Sequence, residues 1–461
     1  MEHFTNIVIG FGKGGKTLAK YLATHGQDVL VIERSAQMYG GTCINVGCLP
    51  SKNLILNGQK GVPFAQATQK RAEMTAQLRQ KNYHLVADEP RAQVVNSTAQ
   101  FLNDHSLLLT APDGQTEQVS GERIFINTGA TPRIPAIPGL KLGERVLDSQ
   151  RAMELPQQPH RLAILGGGPI GLEFAALFAS YGSQVTLFDP HEQLLHGFEP
   201  EVQTAVTADL QASGLTLQLA SQVSQVTTTT DTVTLTYHQA GQTQTAQFDY
   251  LLVATGRQPN TAELGLSNTT IATTPTGAIK VDEHLRTTAP NVWALGDVNG
   301  GPQFTYISLD DFRIVKDQLF GSGTRSTADR HFIPTTTFLT PPLATIGLTQ
   351  AAAQAAGHQV LVFQLKTQAI PKARVMEDQR GLYKVIVDQH SHEILGATLY
   401  AQEAHEVINL IALAMNGHLK YELLRDMLYT HPTMAEALND LFQTPLQQWL
   451  KKAGSQLAQP F

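Results

Sequence analysis

The sequence predicts an α/β protein that contains two similar open-sheet domains and a third domain of the α+β class. Three observations support this prediction: a glycine-rich strand-turn-helix pattern near the N-terminus, a second copy that begins 156 residues later, and a change of character after about residue 331. The chain has 461 residues, enough for about three domains of typical size. Its 42% apolar and 16% charged residues are typical of a folded chain.

The first copy starts with the apolar run 7–9, continues as GFGKGG, and leads into an amphipathic segment through Tyr21 and Leu22. A second strand over 29–32 ends at Glu33. Glycines at this spacing permit a tight turn and a close approach to a pyrophosphate, and the acid can accept hydrogen bonds from ribose hydroxyls. One such turn is weak evidence by itself, because ordinary glycine turns also match it. The three glycines are Gly10, Gly12 and Gly15.

The second copy turns this weak signal into a strong one. Asp189 follows Gly166 by 23 residues, as Glu33 follows Gly10. An internal repeat with the same spacing predicts two independent Rossmann-like dinucleotide sites. The second turn reads GGGPIG and includes Gly168, Ile170 and Gly171.

Two further apolar strands end alike, in Thr128-Gly129 and Thr255-Gly256, and we expect each to return the chain from a nucleotide domain. The polar region 221–248 predicts hairpins on a solvated sheet face, and residues after 331 predict a strand over 382–387, a helix over 405–415 and a polar tail. The predicted boundaries are 1–148 and 259–331 for the first domain, 149–258 for the second and 332–461 for a C-terminal dimerisation domain.

Composition argues against several classes of protein. The net charge is −6 and no run of Lys or Arg is present, which argues against a nucleic-acid partner. No stretch approaches the roughly 20 apolar residues of a membrane span, and the first residues do not resemble a secretory signal. Two cysteines in so long a chain favour a reducing compartment, so we expect a cytoplasmic protein.

The two cysteines, Cys43 and Cys48, stand in GGTCINVGCLPSK, ten residues beyond Glu33. A five-residue step within a helical turn can bring two sulfurs to bonding distance. A pair at this spacing is by itself more often two inert buried thiols. Next to a bound flavin, however, a dithiol can take up two electrons, and a neighbouring Lys52 could lower the pKa of a thiol.

These segments, together with ALGD at 294–297 and HPTMAE at 431–436, resemble the flavoprotein disulfide reductases. The resemblance covers nearly the whole chain and implies that Cys48 faces the flavin of FAD while Cys43 is the outer, interchange sulfur. It implies FAD contacts from Gly10, Gly12, Gly15, Glu33, Gly41, Thr42, Thr128, Gly129, Gly296 and Asp297. It implies NADH contacts from Gly166, Gly168, Ile170, Gly171, Glu173, Asp189 and Gly256.

The resemblance also implies the acid-base chemistry. Lys52 would lie near flavin N5, paired with Glu173. His431, oriented by Glu436, would act on the dithiol of the other subunit, which makes a homodimer part of the mechanism. Asp189 argues for NADH, because a carboxylate repels the extra phosphate of NADPH and the following PHEQLLHG contains no Arg.

The electron acceptor has to be inferred from where the sequence departs from known relatives. After ALGD the chain reads VNGGPQFTYISLDDFRIV, which departs from lipoamide dehydrogenases, although Tyr306, Asp310 and Asp311 could equally be a rearranged cofactor edge. Residues 369–385 are similar to mercuric reductases, whose C-terminal cysteine pair and N-terminal metal-binding module are missing. Taken with FTYISLDD and HPTMAEALNDLF, the chain resembles the bacterial reactive-chlorine-resistance flavoproteins, which reduce Cu(II) to Cu(I) with NADH.

Copper reduction is chemically coherent, because soft thiolates prefer Cu(I) and would bind the ion transiently through Cys43 and Cys48. Two alternatives remain open: a dihydrolipoamide dehydrogenase or other small-disulfide reductase, and a thiol redox sensor without turnover. Met376, Met427 and Met434 could either add thioether contacts to the copper ion or simply pack in the core. His390 and His392 are expected to lie in an exposed turn.

Overall fold

The computed structural model describes residues 1–446, so the polar tail from 447 onward lies outside the described residues. The strands are β1 (Glu2–Ile9), β2 (Val29–Glu33), β3 (Ala92–Asn96), β4 (Thr98–Asn103), β5 (Ser106–Thr110), β6 (Thr116–Ile126), β7 (Ala130–Pro132), β8 (Val146–Leu147), β9 (Arg161–Leu165), β10 (Gln184–Phe188), β11 (Thr216–Gln218), β12 (Ser221–Thr228), β13 (Val233–Gln239), β14 (Gln242–Phe248), β15 (Tyr250–Val253), β16 (Arg257–Pro259), β17 (Val292–Ala294), β18 (Thr335–Thr337), β19 (Leu343–Gly347), β20 (Val360–Lys366), β21 (Leu382–Asp388) and β22 (Ile394–Tyr400).

The α-helices are α1 (Lys13–Thr24), α2 (Thr42–Asn45), α3 (Cys48–Gln59), α4 (Phe64–Ala87), α5 (Ser149–Met153), α6 (Pro169–Ser180), α7 (Pro200–Ala212), α8 (Thr305–Phe320), α9 (Gln350–Ala355), α10 (Pro371–Val375), α11 (Ala404–Asn416), α12 (Tyr421–Asp426) and α13 (Ala437–Leu441). None of the helices within residues 1–446 combines the length and apolarity needed to cross a bilayer.

The chain folds into two compact units. The first consists of Met1–Ala136, Leu140–Gln158 and Leu252–Arg330, and the second of Ile137–Gly139, Pro159–Leu251 and the described residues from His331 to Leu446. Both glycine-rich turns stand between a strand and a helix, and the predicted segments 382–387 and 405–415 lie within β21 and α11. The α/β class predicted from the sequence is therefore confirmed.

The first unit is built on a seven-stranded sheet in the order β3-β2-β1-β6-β5-β4, with β17 also paired to β6. Strands β1, β2, β6 and β17 are parallel and end at one level, since Ile9 pairs with Ile32 and Ile126, and Ile126 pairs with Ala294. The residues that follow these strands therefore meet along one edge, where open parallel sheets bind their ligands.

Side chains on β1 alternate between two layers of core. Ile7 and Ile9 belong to the cluster that contains Phe101 and Leu107, whereas Val8 packs with Leu18 of α1 in the other. A strand with both faces buried is typical of a parallel sheet that is covered on both sides. The apolar run before the first turn is thus explained by burial, with no need for a functional role.

The second unit contains parallel strands in the order β11-β10-β9, a three-stranded antiparallel sheet β12-β13-β14, and a five-stranded sheet β18-β19-β22-β21-β20. Leu165 of β9 pairs with Phe188 of β10, so the second turn and Asp189 leave the sheet side by side. The hairpins predicted over 221–248 are confirmed as β12, β13 and β14. Helix α11 packs on β19 and β22.

One buried ionic cluster within this unit connects the C-terminal sheet to the start of α7. Lys384 of β21 is only 3% exposed, and its ammonium donates to Glu199 at 2.8 Å and to Glu201 at 2.7 Å. The other oxygen of Glu199 accepts from the backbone N–H of Gln350 at 2.6 Å. Because all three charges are paired, the cluster is tolerated, but it becomes costly if one partner is removed.

We expect Lys384→Met to lower the free energy of unfolding by about 3 kcal/mol, because the buried Glu199 then loses its counter-charge and the half-buried Glu201 loses its partner. Chemical denaturation of the apoprotein, followed by circular dichroism, measures the change. The matched control is Lys366→Met on the neighbouring strand β20, where the side chain is exposed and should matter little. Equal losses for the two variants would contradict the prediction.

Candidate functional site

The first glycine-rich turn is closely packed against the end of β6. Gly10 has a φ of +103°, and a Cβ there would lie 2.3 Å from the carbonyl oxygen of Asn127. Gly15 packs closely on Gly10, since a Cβ on Gly15 would lie 2.4 Å from the carbonyl oxygen of Gly10. Glycine is thus required at both positions by the backbone itself.

Asn127 holds the turn from within. Its Oδ1 accepts from the backbone N–H of Gly15 at 2.9 Å, and its Nδ2 donates to the carbonyl of Leu295 at 2.5 Å. Ser308 of α8 adds a hydroxyl that accepts from Gly14 N–H at 3.1 Å. Sequence reasoning missed both side chains, because their partners are more than 100 residues away.

The amides of this turn fit a pyrophosphate. The backbone N–H groups of Phe11, Gly14 and Gly15 are all used by side chains of the protein. Within residues 1–446, the N–H groups of Gly12 and Lys13 donate to no protein acceptor, and they stand at the N-terminus of α1. Such a helix start favours an anion, so the turn has the donors that a dinucleotide requires.

Glu33 lies beside the turn, as the sequence predicts. Its two oxygens accept from the backbone N–H of Phe11 at 3.0 Å and of Ser35 at 3.2 Å. Burial raises the pKa of Glu33, and these amide hydrogen bonds oppose the rise. The carboxylate therefore fastens the turn and retains lone pairs for a ribose.

The second turn repeats this arrangement. Asp189 Oδ2 accepts from Gly167 N–H at 2.6 Å, and Oδ1 accepts from the backbone N–H of His191 and contacts its ring Nδ1. No Cβ contact restricts Gly168, which leaves open space over the turn. Among the described residues the N–H groups of Gly168 and Ile170 have no protein acceptor at the start of α6. The second turn thus also fits a dinucleotide, with a carboxylate on the ribose side.

The cysteine segment packs directly on the first turn. Gly41 has a φ of +76°, and a Cβ there would lie 2.7 Å from the Cα of Gly12. The following residue, Thr42, begins α2. Any side chain at 41 would push this segment away, so the glycine sets the distance between the cysteines and the turn.

The expectation that both cysteines share one helical turn is wrong. Cys43 lies in α2, Cys48 is the first residue of α3, and the non-helical residues Val46 and Gly47 separate the helices. Gly47 also packs closely on the start of α2, since a Cβ there would lie 3.0 Å from the carbonyl oxygen of Thr42. Lys52 nevertheless lies one turn after Cys48 on α3, so the two share a helix face.

The two sulfurs interact as a reduced pair. Cys43 is half-buried and Cys48 exposed, and neither forms a disulfide. A hydrogen bond with Cys48 raises the pKa of the Cys43 thiol, and burial raises it further. The Thr305 hydroxyl, 3.8 Å from Cys48 Sγ, lowers it in part.

Lys16 is a buried cation beside this pair that sequence reasoning missed. It is 4% exposed, its ammonium donates to Asn82, and no carboxylate within residues 1–446 pairs with it. Burial and the nearby Lys13 lower the pKa of Lys16 to about 8, whereas Cys43 raises it. The sequence could have indicated this buried cation, because the second Lys of GKGGK stands at a helix position that faces the core.

The segment at Asp297 completes this edge of the first unit. Burial raises the pKa of the Asp297 carboxyl; the Arg257 guanidinium lowers it. Thr128 and Asn260 exchange hydrogen bonds beside Gly129, whose φ is +70°. Gly256, assigned to the NADH contacts by the sequence, lies in this first unit, where its carbonyl accepts from Arg133 N–H.

His431 and Glu436 form a pair in the second unit. His431 Nδ1 and Glu436 Oε2 are 2.8 Å apart, and Oε1 accepts from Thr433 N–H at 3.1 Å. Desolvation raises the pKa of the Glu436 carboxyl, but these hydrogen bonds lower it more, so the pKa lies below its ordinary value. A carboxylate on Nδ1 leaves Nε2 of the exposed ring available for proton transfer. Glu173, in the same unit, is buried and accepts from Phe338 N–H at 2.9 Å.

No preformed metal site is present in the described part of the chain, where no three His, Cys, Asp or Glu side chains are grouped to hold an ion. His390 lies in an exposed turn, as expected, and His392 pairs with Glu422. Met434 is fully buried in the C-terminal core, which favours the packing interpretation for this methionine.

Comparison with known proteins is consistent with this arrangement. Residues 4–311 match the pyridine nucleotide-disulphide oxidoreductases, and residues 333–442 match the dimerisation domain of that family. The "probable pyridine nucleotide-disulfide oxidoreductase RclA" of Escherichia coli K12 is 45% identical over 96% of this chain and 99% of its own length. A mercuric reductase of Streptomyces lividans is 35% identical over 95% of each chain.

The solved structures agree. A Cu(II) complex of the HOCl-induced flavoprotein disulfide reductase RclA from Escherichia coli superposes with a TM-score of 0.93, at 44% identity over 96% of this chain and 99% of that one. A Cu(II) complex of its C43S mutant gives the same score. With two matching family regions and a full-length relative at this identity, the chain belongs to the pyridine nucleotide-disulphide oxidoreductase family.

Proposed function

We propose that this protein is an FAD-dependent NADH oxidoreductase that reduces Cu(II) to Cu(I) through Cys43 and Cys48, in defence against reactive chlorine. The observation that carries the proposal is the packing of Gly41 on Gly12, which joins the cysteine pair to a nucleotide-binding turn. The likeness to RclA, whose Cu(II) complex has been solved, supports the choice of acceptor.

In this proposal, the first turn, with Gly10, Glu33 and Asp297, holds FAD, and the second, with Gly166 and Asp189, holds NADH. Bound FAD supplies a two-electron carrier between nicotinamide and sulfur. The protein's own part is to hold both nucleotides, to keep the thiols adjacent and to place charges near them. Lys52 and Glu173 remain the proposed pair at the flavin, and His431 with Glu436 the proposed acid-base pair of a homodimer.

The proposed reaction balances in two half-reactions. The Cys43–Cys48 disulfide takes two electrons from NADH and gains one proton from NADH and one from solvent. The dithiol then gives one electron to each of two Cu(II) ions, forms the disulfide again and releases two protons. One NADH thus yields two Cu(I), and soft sulfur favours the cuprous product.

The Cu(II) complex of the C43S mutant of RclA refines the role of the sulfurs. Because that complex forms without the mutated thiol, we assign Cys43 here to electron transfer and transient Cu(I) contact, and do not make it the sole ligand of Cu(II). We further propose that the enzyme works in a reducing compartment such as the cytoplasm, where the pair is regenerated.

A small-disulfide reductase is the second candidate, because the similar RclA of Escherichia coli is a flavoprotein disulfide reductase. Anaerobic NADH turnover with Cu(II), lipoamide and glutathione disulfide, with a Cu(I) indicator present, separates the two. Rates with lipoamide far above those with copper would overturn our proposal. Negligible NADH oxidation with every acceptor would instead favour a thiol sensor.

We expect Cys43→Ser and Cys48→Ser each to lower NADH-dependent Cu(II) reduction at least roughly hundredfold, because a single thiol cannot form the intramolecular disulfide. The two variants should differ in the long-wavelength absorbance that a thiolate gives against flavin. Cys43→Ser should keep this band and Cys48→Ser should lose it, since Cys48 is assigned to the flavin side. Copper reduction at the wild-type rate in Cys43→Ser would remove the dithiol from the reaction.

Asp189 should make the enzyme prefer NADH to NADPH by at least about tenfold in kcat/KM, because its carboxylate repels a 2′-phosphate. Asp189→Asn keeps an acceptor for Gly167 N–H and removes the charge, so it should narrow the preference about tenfold. Steady-state kinetics with both nucleotides measure the ratio. Glu192→Gln, an exposed acid three residues away, is the control and should leave the ratio unchanged.

A further inference from the structure

An acidic pair on α8 lies behind the turn that carries Asp297. Asp311 has no exposed side-chain surface, and Asp310 is only 14% exposed. The sequence left two interpretations for these acids, a departure that matters for the acceptor or a rearranged cofactor edge. Their contacts differ sharply, although the residues are neighbours.

Asp311 binds both ends of the short 3-10 turn Gly296–Asn299. Its Oδ2 accepts from the backbone N–H of Gly296 at 2.6 Å and from Asn299 Nδ2 at 3.2 Å. Asp297 lies between these two residues. A buried carboxylate that accepts two hydrogen bonds from one turn restricts how that turn can move.

The charge of Asp311 is compensated by Arg330. The guanidinium of Arg330 binds Asp311 through Nη2 and Asp310 through Nε, the latter at 2.7 Å. Asp310 Oδ1 also accepts a hydrogen bond from Arg325 Nη2 at 2.5 Å. Asp310 thus shares the arginine with Asp311 but has no hydrogen bond to the turn.

The same acid acts on Asp297 through space. Burial raises the pKa of Asp297, Arg257 lowers it, and the charge of Asp311 raises it again. Burial also raises the pKa of Asp311, whereas Arg330 and the Gly296 N–H lower it. Each carboxylate thus has its own arginine, and the charge of Asp311 also acts on Asp297.

We propose that Asp311 is a positioning residue of the FAD site, which fixes the turn Gly296–Asn299 so that the Asp297 carboxylate stands where the flavin nucleotide binds. This inference rests on the proposed function only in that Asp297 contacts FAD; it is independent of the electron acceptor. Arg330 serves as the counter-charge that allows an ionised carboxylate at a position without solvent.

The chemistry of an amide at 311 shows why the carboxylate is needed. Asparagine would turn its N–H₂ group toward either Gly296 N–H or Arg330, so that two donors face each other. One of the two contacts must then break. The turn would shift, while the neighbouring Asp310 would still bind both arginines.

The test is FAD binding by the apoprotein, followed through the quenching of FAD fluorescence. Asp311→Asn should weaken the Kd for FAD roughly ten- to hundredfold. Asp310→Asn is the matched control, and its Kd should stay within about threefold of wild type. Thermal unfolding of both apoproteins shows whether a loss of affinity is merely a loss of stability.

A double-mutant cycle asks whether Asp311 acts through Asp297. If it does, Asp297→Asn/Asp311→Asn should bind FAD no more than about threefold more weakly than Asp297→Asn alone. Losses that multiply in the double variant would overturn the proposal, as would wild-type affinity in Asp311→Asn. Should Asp311→Asn fail to fold, Asn299→Ala removes the second hydrogen bond without stranding a charge and should still weaken binding several-fold.

The outcomes for the two proposals are distinguishable. A wild-type protein that binds FAD but does not reduce copper would defeat the proposed function and leave the role of Asp311 intact. A wild-type protein that does not bind FAD would overturn both. Equal Kd values for Asp310→Asn and Asp311→Asn would overturn the positioning role alone.

Discussion

The contact of Gly41 with Gly12 is the constraint on which the rest of the site depends. Both residues lack a side chain, so the segment that carries the cysteines approaches the nucleotide turn more closely than any other residue type permits. The four parallel strands that end at one level, and the Asn127 side chain that joins the turn to Leu295, keep the turn itself in place. The distance from sulfur to the cofactor edge is therefore set by backbone, which leaves side chains free to set charge.

Charge is managed in one way throughout the first unit. Glu33 and Asp311 are buried and Asp297 is half-buried. Burial raises the pKa of each of these carboxyls, and backbone amides or arginines oppose that rise. Lys16 is the exception. Its ammonium donates to the side-chain amide of Asn82 and lies near the Cys43 thiol, and among the described residues no carboxylate pairs with it. A dithiol beside an uncompensated cation ionises more readily than one in an apolar core.

Periodicity and glycine spacing were sufficient to predict the fold class, both turns, their acids and the elements around them, because each of those signals is local in sequence. The placement of the two cysteines was predicted less well. The helix is interrupted at Val46 and Gly47, and a five-residue spacing does not reveal such an interruption. Asn127 and Ser308 were missed for a different reason, since their partners lie far along the chain and a single sequence does not show such pairs. For Lys16 the core-facing position was visible in the sequence, but the place of its ammonium beside the thiols was not.

Both turns contain the same internal latch. Glu33 accepts from the N–H just after Gly10, and Asp189 accepts from the N–H just after Gly166. The acid that recognises a ribose is thus also a structural support of the glycine-rich turn that binds phosphate. An engineer who exchanges Asp189 for a basic or small residue to change coenzyme would dismantle that support as well, so a successful redesign has to supply a new acceptor for the Gly167 amide along with the new specificity.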